Sequence, residues 1–425
     1  MKENIKYYVR ESKIINLIFL LCFFIYLKKL PISIETQPFI IFFLSIFYLM
    51  VKKITVTTKD VLLVLHLILL SVYVLFQIII KKNGLIDYFT YLVGPAVYFV
   101  FLNNSKLISE KIVKWVVILY ATVAIVLLLK IPIAYALVQN FYELFIPRPG
   151  WIDGSEIRGV TLFAPEPSYF AFPSVLLLVA LDILHLNGKK NLLKYKLLVI
   201  AIIIISKSAL VFLYSSIYLL FYYLGNNPLR RIQIIKSKRI IVFFFFILIL
   251  LIPFFIFENS RLVEVLGNIY DNVSNSENFK NLLLKEVSGS TRFIINTLGF
   301  LSIEYAPFGW GIGEFQNNFY VVGEQFDDLM SRHEVIRPLY LNHLPLKAQT
   351  YFANLTGDIG VFSFPLLGFF IWSFLQKTDD KIKRGLQWVL PLMLIFVQAQ
   401  ISNPIPWILL AVINSKDLIL IKGKR

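Results

Sequence analysis

Cysteine, histidine and charge are all scarce in this chain, and each shortage excludes something. A single cysteine, Cys22, has no partner for an intrachain disulfide and cannot build a cysteine metal cluster. Four histidines, with no His-x-x-x-His pair among them, leave little basis for a metal site. Charged residues make up 16% of the 425 positions, against about 25% in soluble domains. What fills the space is apolar: 58% of residues are hydrophobic. They come in blocks nearly free of charge, such as Val61–Ile80, Ile241–Phe257 and Val361–Leu375. A soluble enzyme, a nucleic-acid binder and a single-span receptor do not look like this; a polytopic membrane protein does.

The formal charge of +16 is unevenly spread. Between Glu258 and Leu346 eleven acids face six bases, a net of −5, and between Val138 and Glu166 the net is −2. The rest therefore carries +23, in clusters such as Lys52/Lys53/Lys59, Lys106/Lys111/Lys114, Lys189/Lys190/Lys194/Lys196 and Lys377/Lys381/Lys383/Arg384. This asymmetry follows the positive-inside rule and puts the basic clusters in the cytoplasm and the two acidic loops outside. Twelve apolar segments result: 14–29, 37–51, 61–80, 85–102, 112–137, 168–187, 195–206, 208–225, 239–257, 351–376, 385–400 and 404–421. The expected organisation is all-α. Residues 1–137 form N-terminal transmembrane helices, 138–167 a first outer loop and 168–257 central transmembrane helices. A large, partly helical outer loop spans 258–346, and 347–425 form C-terminal transmembrane helices.

The run Leu197–Ile205 is interrupted by Ser206-Lys207-Ser208 before Ala209–Leu224 resumes it. About ten residues at 1.5 Å each do not cross ~30 Å of hydrocarbon. The two pieces are either one kinked helix or two short helices meeting inside the membrane, and the basic clusters at both ends favour the second. Lys207 then lies in the outer half of the bilayer, where a cation needs an anionic partner, water or a snorkelling route.

Two outer segments carry candidate chemistry. The first runs from Arg158-Gly159 through Pro165-Glu166-Pro167-Ser168, dense in turn formers and ending where a span begins, with Ser168 as a candidate N-cap. Arg158 suits two-pronged recognition of a phosphate. Glu166 suits a base or a ligand for sugar hydroxyls, or else pairs with its neighbouring arginine to fix the loop. The second segment holds Arg292, the run Gly309-Trp310-Gly311-Ile312-Gly313, then His333, Arg337 and His343. No strand precedes the glycine run and no lysine follows it, so a nucleotide loop is a poor reading and tight backbone turns a better one.

Taken in order, these motifs resemble the O-antigen ligase and Wzy-type O-antigen (capsular polysaccharide) polymerase superfamily. The elements are an Arg-Gly…Phe…Glu-Pro-Ser segment before the sixth span, the Ser-Lys-Ser break and the late outer loop. In that loop Arg292 precedes Pro307-Phe308-Gly309-Trp310-Gly311-Ile312-Gly313-Glu314-Phe315. The resemblance covers most of 110–376. It implies a GT-C-like helical fold and a metal-independent inverting glycosyltransferase without cofactors. Its substrate would be glycan linked to undecaprenyl diphosphate at the outer face of a bacterial cytoplasmic (inner) membrane. It places Arg158, Lys207 and Arg292 at the lipid diphosphate; the family usually has Ser-Arg where Lys207 stands. Ligases carry His-Asn at a position occupied here by Gln349-Thr350, a departure that favours a polymerase and leaves Glu166, His333 and His343 as candidate bases.

The expected activity is therefore a repeat-unit polymerase of O-antigen (lipopolysaccharide) or capsule biosynthesis. The expected partners are lipid-linked oligosaccharide, membrane lipid and a chain-length regulator protein, with no nucleic acid. An O-antigen ligase is the enzymatic alternative. A lipid-linked oligosaccharide flippase is the alternative from another class, disfavoured by the few intramembrane charges and the 89-residue outer loop.

Overall fold

A computed structural model of the chain describes residues 2–27, 38–52, 56–81, 84–146, 160–224, 284, 287–342, 350–397, 401–416 and 418. Every regular element among them is helical. The first half supplies α1 (Lys2–Leu21), α2 (Phe39–Val51), α3 (Val61–Lys81), α4 (Leu85–Leu102) and α5 (Glu110–Leu129). It continues with α6 (Pro132–Phe145), α7 (Ala171–Leu186), α8 (Leu193–Ile205) and α9 (Ala209–Leu224). The second half supplies α10 (Val287–Tyr305), three short helices α11 (Phe315–Val321), α12 (Asp327–Arg332) and α13 (Ile336–Leu341), then α14 (Tyr351–Ile359) and α15 (Phe364–Leu375). It ends with α16 (Lys381–Phe396) and α17 (Ile405–Asn414).

Five of the described helical stretches are long and apolar enough to cross a membrane: Thr58–Lys81, Leu85–Leu102, Glu110–Leu129, Pro167–Leu186 and Tyr351–Leu375. The chain is thus an α-helical protein of membrane character. The apolar segment 239–257 and most of 258–286 lie outside the described residues. Two expected segments are interrupted. Residues 112–137 break at Lys130, which takes a left-handed φ of 48° ahead of Pro132 at the start of α6. Residues 351–376 break at Gly360 (φ 53°), where any Cβ would meet the Pro307 carbonyl at 2.2 Å.

Burial sorts the helices into inner and outer. The stretches 171–184 of α7 and 405–414 of α17 are buried throughout. α4 meets α17 at Gly94, where an added Cβ would fall 1.9 Å from the Trp407 indole nitrogen; only glycine permits that approach. By contrast Phe43, Phe47 and Met50 on α2, and Leu65, Ile68, Val72, Leu75 and Ile79 on α3, are exposed at helical spacing. An apolar stripe of that extent is a liability in water and a natural surface in hydrocarbon.

Polar contacts at one end fix the packing. Thr57 and Asp60 form a capping box ahead of α3. The buried Asp60 carboxylate also accepts from the Tyr98 hydroxyl (2.8 Å), which in turn accepts from the Asn414 amide (3.2 Å). One network so joins α3, α4 and α17.

α8 and α9 form an antiparallel hairpin. Lys196, near the start of α8, donates to the Tyr223 hydroxyl near the end of α9 (3.4 Å) and sits over the Tyr222 ring. The same ammonium pairs with Asp182 on α7 at 2.8 Å, and Tyr218 donates to the other Asp182 oxygen at 2.9 Å. The opposite end of the hairpin is the Ser206-Lys207-Ser208 turn, with Lys207 in the left-handed region (φ 50°) immediately after the Ser206 C-cap of α8. Two short helices meeting at a turn are therefore what the sequence break encodes.

Candidate functional site

Glu166 precedes a proline, which pushes it out of the helical region, and its backbone is extended (φ −138°, ψ 153°). It leads into the 3-10 turn Pro167–Phe170 at the head of α7. The approach to it is fixed by Leu162, left-handed at φ 55°, whose carbonyl accepts from the Tyr142 hydroxyl of α6. The Glu166 carboxylate is one-third exposed and meets Arg292 of α10 across 3.0 Å. Arg292 Nη2 also donates to the Ser168 hydroxyl (3.3 Å), and that hydroxyl lies 3.5 Å from Glu166 Oε2. Both contacts to the carboxylate use Oε2; Oε1 makes no hydrogen bond among the described residues. Ser168 is thus a ligand of the ion pair, not the N-cap expected of it. Among the described residues the partner of Glu166 is Arg292, 126 positions away; the pairing with the neighbouring Arg158 that the sequence offered falls outside them.

Arg292 is held in register by the rest of α10. Asn296, one turn on, accepts from both the backbone N–H and the hydroxyl of Thr350 (3.2 and 3.0 Å). Two turns on, Gly299 lies so close to α14 that a Cβ would fall 2.7 Å from the Ala353 carbonyl oxygen. Tyr214, buried on α9, is within electrostatic reach of the guanidinium. α9 begins five residues earlier at Ala209, about 7.5 Å along the helix axis at 1.5 Å per residue, directly after the Lys207 turn. The hairpin tip and the Glu166–Arg292 pair accordingly lie toward one end of α9. Arg158 and His343 lie outside the described residues.

The glycine run has a different task. Gly309, Gly311 and Gly313 all have positive φ (79°, 114° and 83°), and their loop is stapled to the bundle by its backbone. Trp310 N–H donates to the Gly357 carbonyl (3.1 Å), and Gly311 N–H to that of Asp358 (3.0 Å). Gln77 of α3 reads the Ile312 peptide from both sides, donating to its carbonyl (3.0 Å) and accepting from its N–H (2.8 Å). Asp358 Oδ2 accepts from the Tyr91 hydroxyl at 2.7 Å. Backbone groups already committed in this way do not cradle a phosphate. Gln77 and Tyr91 escaped the sequence reading; the only signal was a polar side chain inside an otherwise apolar run.

His333 is fully buried and both ring nitrogens are engaged. Nδ1 accepts from the Ile336 N–H (3.3 Å), so Nε2 carries the proton and donates to the Ser290 hydroxyl at 2.7 Å. Burial pushes the imidazole below its ordinary value, with Glu334 opposing. Ser290 precedes Arg292 by two residues, about 200° around the helix, so His333 belongs to the opposite face of α10. That face packs Ile294 and Leu298 against Val322, Met330 and Ile336. Among the described residues no three His, Cys, Asp or Glu side chains converge as metal ligands.

The arrangement offers a carboxylate oxygen pre-oriented by a guanidinium and a hydroxyl, with a second cation at a turn nearby. Chemically it can bind an anion and accept a proton. No family model, no curated protein and no solved structure matches the chain.

Proposed function

We propose that the chain is a polysaccharide repeat-unit polymerase of about twelve spans with a GT-C-like architecture. It would act at the outer face of a bacterial cytoplasmic membrane, in O-antigen or capsule biosynthesis. A growing glycan on undecaprenyl diphosphate is transferred to the hydroxyl of a new lipid-linked repeat unit. The acceptor oxygen attacks the anomeric carbon with inversion, and the bond from that carbon to the diphosphate oxygen breaks. The diphosphate leaves with the electron pair, and the hydroxyl proton passes to a base. Lys207 and Arg292, with Arg158, hold the diphosphate and stabilise its developing charge without a metal. Glu166 is the base, and its Oε1, which makes no hydrogen bond among the described residues, is the oxygen that takes the proton.

The observation that carries this reading is the Glu166–Arg292–Ser168 cluster at the head of α7, on the same side of the bundle as the Lys207 turn. Two segments remote in sequence, each singled out by its motif, contribute to it. His333 drops out of the list of bases on its burial.

The test is complementation of a deletion strain, read on lipopolysaccharide or capsule gels. Glu166→Gln keeps the shape and the bond from Arg292 but removes the basicity, and general-base loss costs 10²–10⁴-fold in rate, on the order of total loss of ladder. The expected product is a single attached repeat. Normal polymer length and amount would remove Glu166 from the chemistry. No attached repeat at all would identify a ligase, and arrested export a flippase.

A further inference from the structure

The end of the bundle opposite the Lys207 turn holds two adjoining cavities, of about 670 and 640 Å³, between α1 and the start of α5. They share Ser12, Ser109 and Lys111 along their common border. Their chemistry is divided. One is floored by Leu17, Leu20 and Ile112. The other is rimmed by Lys106, Lys111, Lys114 and Lys189.

The rim is not self-neutralised. Among the described residues Glu110 is the one carboxylate lining it, and it is shared between Lys114 and Lys189 (3.5 Å). Lys106 and Lys111 make no ion pair among the described residues. With Lys13 lining the apolar part, five lysines face a single acid among the described residues. The walls are rigid. Asn16 donates to the Ser12 and Leu107 carbonyls (2.6 and 3.2 Å) and accepts from the Ser109 N–H (2.6 Å), which clamps α1 to the turn before α5.

We propose that this space binds one anionic glycerophospholipid of the surrounding bilayer. Its phosphate sits among Lys106, Lys111 and Lys189, and an acyl chain runs over Leu17, Leu20 and Ile112. Charge complementarity selects an anionic headgroup over a zwitterionic one, and the apolar floor selects a lipid over a free anion. Leu17 is itself exposed on the outside of α1, so the chain passes from the cavity directly into the bilayer. This site does not depend on the proposed polymerase activity.

The test titrates the full-length protein, purified in a neutral detergent, with phosphatidylglycerol, phosphatidylcholine or inorganic phosphate, and reads binding by native mass spectrometry. Wild type should retain phosphatidylglycerol in preference to phosphatidylcholine, and inorganic phosphate should not compete. A lysine near an anionic headgroup is worth about fivefold in affinity, so Lys106→Gln/Lys111→Gln should weaken phosphatidylglycerol binding about 25-fold. Lys377→Gln/Lys381→Gln, in another basic cluster, should not change it. Equal retention of the two lipids by wild type would overturn the proposal without reference to any variant. So would an unaltered preference in the Lys106/Lys111 variant, which would assign the effect to lysines elsewhere. Full competition by inorganic phosphate would make the site one for a free anion.

Discussion

Replacing Asp182 by asparagine tests whether the α8–α9 hairpin is held to α7 by charge. Asp182 and Lys196 meet at 2.8 Å with side-chain exposures of 4% and 14%. Both charges are therefore largely removed from water, and discounting for screening is minor. Removing one member of a buried pair leaves the other uncompensated, at about 3–5 kcal/mol. Two features reduce that cost here: asparagine keeps an acceptor for the Tyr218 hydroxyl, and Lys196 retains the Tyr222 ring at 4.8 Å, a contact worth about 1 kcal/mol. The expected loss is about 3 kcal/mol for Asp182→Asn and a similar amount for Lys196→Met. The double variant leaves no buried charge, so it should lose far less than the roughly 6 kcal/mol expected from additivity. Reversible unfolding in mixed micelles measures all four corners of the cycle. Additive losses would refute the coupling, and with it the argument that this pair closes the hairpin.

Lys207→Gly places the residue that a left-handed cap prefers where lysine now stands at φ 50°. Thermal stability in detergent should change by less than about 1 kcal/mol while polymer disappears, and normal polymer would show that the side chain does no chemistry. Gln77→Leu strips two buried hydrogen bonds from the Ile312 peptide and should cost about 2–3 kcal/mol. Hydrogen exchange at Gly309–Gly313 should accelerate, and unchanged protection would refute the staple. His333 has a folded-state value below that of an ordinary histidine, so the unfolded chain binds the extra proton first. Stability of the outer helical cluster should be constant above about pH 6.5 and fall as the pH drops below it. Limited proteolysis between pH 7 and 5 checks this, and His333→Gln should flatten the profile.

The sequence made helices legible wherever apolar runs were long and charge marked their ends, because length and hydropathy are local properties. It also located the Ser206-Lys207-Ser208 break, since ten residues are too short to span a bilayer. What it could not reach were the partners. Glu166 sits eight positions after Arg158, and adjacency made that arginine a natural counter-ion, a pairing outside the described residues; nothing local announced the contact with Arg292, which α10 brings in because it is locked to α14 through Asn296 and Gly299. His333 read as a candidate base because histidine titrates near neutrality, yet its ring is consumed by Ser290 and Ile336. The glycine run read as a turn, correctly, but its anchor on Gln77 lies 235 positions upstream. In each case residue type was informative and distance along the chain was misleading. A residue that can do chemistry becomes one that does only when packing leaves an atom unspent. By that standard Glu166, whose Oε1 makes no hydrogen bond among the described residues, stays a candidate, while both ring nitrogens of His333 are already engaged.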